Sequence, residues 1–239
     1  MQYTTTWVNE LQASATADEA HRQFGWTSEE MKSFILGNME IFGDRIAFNP
    51  PSANTAGLFH AFEPKGTLEG WKEMMGFFNE EGQETYQYVV GASFGSILME
   101  LMPVACASLH IHSKDTGYGK TTALYAALTP WGNPKELLME KEDTLNTKMN
   151  RGEIYHSLPF FLDEITNLSP KDLSNLAYQY VSGRQRRRLT GSANVERYNG
   201  LSWSFTSVST GNVSIIERIG MYKNAPKAEA QRILEYKDI

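Results

Sequence analysis

The sequence predicts an α/β fold in which a mostly parallel sheet is flanked by helices, and three observations support this prediction. A glycine-rich turn ending in Gly-Lys-Thr, residues 119–121, separates a predicted strand from a predicted helix. The run 158–162 is continuously apolar, as expected of a strand that is buried on both faces, and two carboxylates follow it. From about residue 104 onward, predicted strands and helices alternate, which is the pattern of a parallel sheet.

The N-terminal region, residues 1–65, is predicted to be a small α+β appendage. Two capping-box patterns, each a Thr followed three residues later by Glu, predict short helices near Asp18–Phe24 and Ser28–Leu36. Between Ile41 and Gly66 the apolar residues alternate and prolines interrupt them, which favours strands and loops.

Residues 66–103 are predicted to be helical and to pack on the core. Two helical segments run from Leu68 to about Leu101, with a break near Glu80–Gly82. Large apolar residues recur at helical spacing in the first segment, which is typical of packing rather than of ligand binding. They are Trp71, Met74, Met75 and Phe78.

The remaining residues, 104–239, are predicted to form the core. After the glycine-rich turn the predicted elements are, in order, a helix through Leu128, a short strand at Leu137–Glu140, a helix near Thr144–Asn150, the strand ending at Leu162, a helix introduced by Ser169–Asp172, a strand at Leu201–Thr210 and a last strand near Arg232–Tyr236. Ser169 followed by Pro170 is a strong helix start, because serine caps a helix and proline suits its first position.

Composition and charge narrow the class of protein. The chain has 239 residues, of which 41% are hydrophobic and 21% charged, as in an ordinary globular protein. The one cysteine, Cys106, lies in an apolar stretch and is predicted to be a buried thiol, which fits a reducing, cytoplasmic setting. No apolar run is long enough to span a bilayer, so no membrane partner is expected.

The net charge of −6 is unevenly distributed, with −9 on residues 1–100 and +3 on residues 101–239. An acidic protein is not expected to coat nucleic acid nonspecifically. It can still concentrate positive charge in a small channel.

The segment Ser113–Thr122 is predicted to be a phosphate-binding loop, in which backbone N–H groups and a helix N-terminus surround a polyphosphate. Lys120 is predicted to reach the β- and γ-phosphates, and the Thr121 hydroxyl to hold Mg²⁺. The full signature has a glycine where this chain has Lys114, so a surface turn is the alternative. The predicted nucleotide-binding residues are Ser113, Lys114, Asp115, Thr116, Gly117, Tyr118, Gly119, Lys120, Thr121 and Thr122.

Three side chains at the ends of later strands are predicted to complete this site, because open α/β sheets bind ligands at the carboxyl ends of their strands. Asp163 is predicted to hold Mg²⁺ through water, and Glu164 to orient and polarise the attacking water. Asn212 is the candidate sensor of the γ-phosphate. The alternative for Asp163 and Glu164 is a pair of exposed acids that cap the next helix. The alternative for Asn212 is an ordinary turn residue.

The insertion 184–198 is predicted to be a basic β-hairpin, since Thr-Gly-Ser-Ala-Asn at 190–194 is a turn signal between two short extended runs. Five arginines and one glutamate make it strongly positive. Such a hairpin can contact DNA phosphates without reading bases, whereas a merely solvated edge hairpin is the alternative. The predicted DNA-binding residues are Arg184, Arg186, Arg187 and Arg188.

Taken together, these motifs resemble the P-loop ATPase domain of phage- and plasmid-type replicative helicases, which are ring-forming AAA+ ATPases of the superfamily-three kind. They are more closely similar to a mobile-element family whose domain was long catalogued as of unknown function. The phosphate loop of that family also lacks the first glycine. The resemblance covers roughly Gly66 to the C-terminus, and it rests on Ser113–Thr122, Trp131–Pro134, Asp143–Asn146, Leu162–Glu164, Gly183–Arg187 and Trp203–Asn212.

The resemblance implies a P-loop AAA+-type core that binds ATP and Mg²⁺ and couples ATP hydrolysis to movement on, or unwinding of, DNA in phage or plasmid replication. It implies a homo-oligomeric ring, usually a hexamer, whose pore hairpin tracks single-stranded DNA, with replication proteins as further partners. Arg232 best fits the arginine that completes the neighbouring subunit's site, and Arg218 is the fallback. Because the sequence ends at Ile239, directly after the last predicted strand, we expect no C-terminal helical lid unless the N-terminal helices replace it.

Three alternatives stay open. A protein remodeller or helicase loader would have the same fold, but Arg186–Arg188 favours nucleic acid. A nonhydrolysing scaffold would have little use for Glu164. A small-molecule kinase fits less well, because a Glu directly after the metal-binding Asp suits water as the nucleophile.

Overall fold

The computed structural model describes residues 5–7, 10, 20–115, 117, 119–184, 201–224 and 226–237. These residues form two four-stranded sheets. The first is antiparallel, in the order β1-β2-β3-β4, and consists of Gly25–Trp26, Phe34–Leu36, Met39–Ile41 and Ile46–Phe48. The second is parallel, in the order β6-β7-β5-β8, and consists of β5 Cys106–His112, β6 Phe160–Leu162, β7 Phe205–Gly211 and β8 Ile233–Lys237.

Helices flank the parallel sheet. The α-helices are α1 Leu68–Gly76, α2 Glu84–Gly95, α3 Lys120–Leu128, α4 Pro134–Leu137, α5 Leu145–Tyr155, α6 Pro170–Ser182, α7 Ile215–Gly220 and α8 Lys227–Ala230. Short 3₁₀ helices lie at Phe59–Phe62, Phe77–Asn79, Ser96–Leu101 and Ile165–Asn167. The described residues therefore confirm a mixed α/β fold with a parallel sheet between helices.

The central strand β7 is buried along all seven residues, although five of them are Ser, Thr or Gly. Helix α2 and the 3₁₀ helix after it satisfy the polar groups of Thr206: its Oγ1 donates to the Ala92 carbonyl at 2.7 Å, and Ser96 Oγ accepts from its N–H at 3.0 Å. A buried hydroxyl is tolerated only with such partners. The small side chains of β7 thus allow α2 to lie directly on the sheet.

An aromatic cluster fills the core at the amino end of the parallel sheet. The Trp203 and Phe205 rings stack with centroids 5.8 Å apart, and Tyr180 meets Phe205 edge-on at 5.8 Å. The Trp203 indole N–H donates to the Tyr180 carbonyl at 3.0 Å. Each such ring pair adds about 0.5–1.5 kcal/mol beyond the area it buries.

The predicted helix start at Ser169 is confirmed, and the helix predicted near Thr144 also begins with a side-chain cap. Ser169 Oγ accepts from the Asp172 N–H at 3.1 Å, and Pro170 occupies the first position of α6. Thr144 caps α5 in the same way, accepting from the Thr147 N–H at 3.2 Å. The two helical segments predicted between Leu68 and Leu101, and the break between them, are also present.

The helix predicted at Ser28–Leu36 is wrong. Residues 29–30 form a turn, Met31 has φ +49°, and Phe34–Leu36 is strand β2. Phe34 and Ile35 are buried in the core, so tertiary packing decides this segment over the local capping signal.

Two further expectations need correction. Of the helix predicted at Asp18–Phe24, the described residues 20–24 are not helical, and the Phe24 N–H donates to the Ile154 carbonyl at 2.8 Å instead. The strand predicted at Leu137–Glu140 is reduced to one parallel bridge from Met139 to Leu162. Helix α4 is capped by Asn133 and runs from Pro134 to Leu137, so the first residue of the predicted strand is helical.

The antiparallel sheet is tied to the parallel one. Gln23 Nε2 donates to the carbonyls of Glu153 at 2.6 Å and Ser202 at 2.7 Å, and Phe24 packs against Phe62 in the same core. The division into 1–65, 66–103 and 104–239 stays a prediction. Apart from Arg184, the predicted hairpin 184–198 lies outside the described residues.

Cys106 is buried at the start of β5, as predicted, and burial raises the pKa of its thiol to about 12. Among the described residues, no helix combines the length and the apolar character needed to cross a membrane.

Candidate functional site

Side chains from three parallel strands converge where the chain changes direction across the sheet. The strand β7 lies between β5 and β6, so the connection from β5 to β6 crosses the position that β7, which follows later in the chain, occupies. Open α/β sheets bind ligands in the crevice at such a point, outside the carboxyl ends of the strands.

Two glycines in the loop after β5 have backbone conformations that few other residues adopt. Gly117 and Gly119 have φ of +91° and +77°, the left-handed region that favours glycine. Gly119 caps α3 and provides no side-chain hydrogen bond to the first turn. The N–H groups at the start of this nine-residue helix are therefore free of any side-chain cap and suit an anion.

Lys120 is buried inside this loop, with 8% of its surface exposed. Its ammonium donates to the carbonyls of Ser113 and Asp115, each at 3.2 Å. The Ser113 hydroxyl in turn accepts from the Asp115 N–H at 3.3 Å. A cation held by backbone carbonyls at the mouth of a helix N-terminus attracts an anion there.

Thr121 and Asp163 meet across the crevice. Thr121 Oγ1 donates to Asp163 Oδ2 at 2.8 Å, while Asp163 Oδ1 accepts from the Glu164 N–H at 3.0 Å and from the Thr210 hydroxyl. The Asp163 carboxylate is thus fixed between the helix that follows the loop and the end of β7. Sequence reasoning missed Thr210; a hydroxyl at the end of a predicted strand was its only signal.

Glu164 has φ +51° and ψ +38°, a left-handed conformation that is unfavourable for a residue with a side chain. Its N–H donates to both Asp163 Oδ1 and Thr210 Oγ1, which holds this backbone in place. Strained residues that are held in this way concentrate at active sites.

Asn212 faces Glu164. Its Nδ2 donates to Glu164 Oε2 at 3.3 Å, and its N–H to Thr166 Oγ1 at 3.4 Å. Asn212 Oδ1 is buried and has no hydrogen-bond partner among the residues that the structure describes. This oxygen is therefore an unsatisfied buried acceptor on the side chain whose Nδ2 contacts Glu164.

The hydroxyl of Tyr86, on α2, contacts the loop at Gly119, where an added Cβ would lie 1.8 Å from Tyr86 Oη. Tyr86 also stacks on Phe78, with ring centroids 4.9 Å apart. Sequence reasoning missed this contact, because nothing in the spacing of α2 connects it with the loop.

The predicted arginines occupy different places. Arg218, on α7, donates Nε to the Thr166 carbonyl at 3.2 Å, close to Asn212. Arg232 lies before β8, where its guanidinium is 4.6 Å from the centre of the Tyr178 ring. Because Ile233 pairs with Ser108 early in β5, Arg232 is at the opposite end of the sheet from its own site.

Arg184 is exposed and pairs with Ser202 in an antiparallel bridge at the base of the predicted hairpin. Lys114 and Thr122 are exposed at the loop and at the first turn of α3. Five predicted site residues lie outside the described residues: Thr116, Tyr118, Arg186, Arg187 and Arg188.

The donor set suits Mg²⁺ bound together with a polyphosphate. Thr121 and Asp163 offer hard oxygen atoms, and Mg²⁺ commonly takes one or two carboxylates while phosphates and water fill its other positions. In the part of the chain that the structure describes, no three His, Cys, Asp or Glu residues gather as a metal-binding group. An all-protein metal cage is therefore not formed by those residues.

Comparison with known proteins gives a family and a fold. The family described as a domain of unknown function (DUF927) matches residues 2–198. The solved structure of SCCmec type IV Cch, described as an active helicase, superposes with a TM-score of 0.71 at 14% identity, over 99% of this chain and 44% of that chain. At this identity the likeness shows the fold alone, and this chain spans less than half of that helicase.

NtrX from Brucella abortus, solved in complex with ADP, superposes with a TM-score of 0.41 at 9% identity, over 70% of this chain and 39% of that chain. This likeness is too distant to support an argument. No curated protein matches the chain.

Proposed function

The chain belongs to the DUF927 family, and we propose that it is a Mg²⁺-dependent ATPase of the AAA+ type that works on DNA as an oligomeric ring. The observation that carries the ATPase proposal is the convergence of Lys120, Thr121, Asp163, Glu164 and Asn212 at one edge of the parallel sheet. A glycine loop, a cation, a carboxylate–hydroxyl pair and a second acid are the parts that phosphoryl transfer to water requires.

Binding uses the loop and its lysine. The N–H groups at the start of α3 hold the β-phosphate, and the Lys120 ammonium exchanges its two carbonyl partners for β- and γ-phosphate oxygens. Thr121 Oγ1, and Asp163 through water, would hold Mg²⁺, which would supply positive charge to offset that of the phosphates.

Hydrolysis uses Glu164 and Asn212. The Glu164 carboxylate accepts a proton from the attacking water, and its strained backbone keeps the carboxylate beside the γ-phosphate. Asn212 Nδ2 holds the Glu164 carboxylate in this position. Asn212 thereby senses whether the γ-phosphate is present.

The ring and the DNA contacts are further parts of the proposal. Arg232 lies far from its own site, so the position suits an arginine that acts in a neighbouring subunit. The basic insertion that begins at Arg184 supplies phosphate contacts for single-stranded DNA. The arginines of this insertion support this reading over other ATP-driven machines, because phosphate contacts need positive charge.

The test is ATP turnover with and without single-stranded DNA. We expect turnover that needs Mg²⁺, rises with DNA and is lost in Lys120→Ala. The triple variant Arg186→Ala/Arg187→Ala/Arg188→Ala should keep basal turnover and lose the stimulation, because it removes phosphate contacts only.

Two outcomes would change the proposal. Turnover that ignores DNA would favour a protein remodeller or loader. ATP binding without turnover would favour a scaffold.

A further inference from the structure

A buried histidine outside the reacting groups holds the turn that presents Asn212. His110, in the middle of β5, is fully buried. Its Nε2 lies 3.1 Å from the Val213 carbonyl, and its Nδ1 lies 3.0 Å from Ser209 Oγ. Because a carbonyl only accepts, Nε2 carries the proton and Nδ1 accepts from the serine hydroxyl. The imidazole therefore ties the residue after Asn212 to the end of β7.

The turn is also confined by Thr166, which follows Glu164 by two residues. A Cβ placed on Gly211 would lie 2.6 Å from the Thr166 side chain and 3.1 Å from His110 Cε1. The Asn212 N–H donates to Thr166 Oγ1 at 3.4 Å. The backbone before Asn212 thus passes through a slot between Thr166 and His110.

A third anchor fixes the chain after the turn. The Glu235 carboxylate, on β8, accepts from Ser214 Oγ and the Ile215 N–H, both at 2.6 Å. The backbone that carries Asn212 is therefore tied to β5, β7 and β8 within four residues.

We propose that His110 is a positioning residue for γ-phosphate sensing: it fixes the Asn212 turn so that the amide stays in contact with Glu164. This inference rests on the proposed ATPase function and adds to it a residue outside the reacting groups. A side chain that donates to Val213 should preserve part of the effect, and an apolar ring of similar size should abolish it.

The experiment compares His110→Phe, His110→Gln, Asn212→Ala and the double variant His110→Phe/Asn212→Ala. Turnover, KM for ATP and affinity for ADP are measured for each. A misplacement of about 1 Å at the reacting groups can lower turnover about 100-fold, so we expect His110→Phe to lower kcat roughly 10- to 100-fold. ADP affinity should change little, because ADP lacks the phosphate that Asn212 senses.

Two signatures separate positioning from a general loss of structure. The double variant should be no slower than Asn212→Ala alone, since both changes remove the same contact. His110→Gln should recover part of kcat, because its amide can donate to the Val213 carbonyl. If His110→Phe does not fold, His110→Gln against His110→Asn decides, since Asn is too short to reach Val213.

Unchanged kcat in His110→Phe, multiplying losses in the double variant, or equal kcat in the Gln and Asn variants would overturn the inference while leaving the ATPase proposal intact. A wild-type chain that binds neither ATP nor ADP would overturn both.

Discussion

At the scale of single residues, the glycines of the loop depend on their lack of a side chain. Gly119 has φ +77°, and a Cβ there would lie 1.8 Å from the Tyr86 hydroxyl. Any other residue at this position would have to adopt an unfavourable positive φ and would collide with the Tyr86 hydroxyl.

We predict that Gly119→Ala lowers nucleotide affinity about 10-fold or more, since strain of 1–3 kcal/mol must be relieved by moving the loop. Fluorescent ATP binding measures this. Gly91→Ala, on α2 in open space, is the matched control and should bind normally. Equal binding by the two variants would contradict the assigned loop.

His110 also gives a pH dependence of stability. Burial, and secondarily the neighbouring His112, lower the pKa of His110 to about 4, although Glu235 and the backbone acceptors act in the opposite direction. The unfolded chain takes up a proton below about pH 6.5, whereas the folded chain does not until about pH 4. Stability is therefore lost as the pH falls through this window.

We expect wild type to lose about 2 kcal/mol relative to His110→Gln between pH 7.5 and pH 5, because the variant lacks the titrating group. Urea unfolding at the two pH values gives this difference, in which contributions shared by both proteins cancel. A difference that does not change with pH would mean that folding does not lower the pKa of His110.

At the scale of elements, local signals predicted what local interactions decide. The cap at Ser169 was readable because its hydroxyl bonds an N–H three residues away. The same kind of signal at Ser28–Leu36 misled, because Phe34 and Ile35 are required in the core as a strand. A capping pattern involves only neighbouring residues, so it does not show which residues pack against distant parts of the chain.

The candidate site divides in the same way. Lys120, Thr121, Asp163 and Glu164 were predictable, because motifs at the ends of strands indicate chemistry. Thr210, Tyr86 and His110 were not, since their roles arise from contacts between segments far apart in sequence.

We predict that Ser169→Ala costs about 1 kcal/mol of stability, because it removes the cap of α6. Glu30→Ala alters the last position of the capping pattern at 27–30, where no helix begins, and should change stability by less than about 0.5 kcal/mol. Thermal or urea unfolding of the two variants compares them directly. Equal losses would mean that a helix does start near Ser28.

At the scale of the whole molecule, the two ends of the parallel sheet have separate parts in the proposal. The carboxyl ends carry Lys120, Glu164 and Asn212, while Arg232 lies towards the amino ends. Only an assembly can bring the arginine of one copy to the phosphates of another.

We therefore predict complementation between inactive variants. Arg232→Ala and Glu164→Gln should each be nearly inactive alone, but a mixture should regain turnover. Some interfaces in mixed assemblies combine an intact Glu164 with an intact Arg232 from the neighbouring copy. Turnover of the mixture across a range of ratios measures this, and no recovery in subunits shown to exchange would contradict an arginine acting in trans.

The measurement that most directly tests the central claim is ATP binding and turnover by Glu164→Gln beside wild type. The account predicts that the variant binds ATP as tightly as wild type and hydrolyses it about 100-fold or more slowly, because only the group that accepts the proton from water is removed. Turnover equal to that of wild type would contradict the claim that this edge of the sheet is a hydrolytic site.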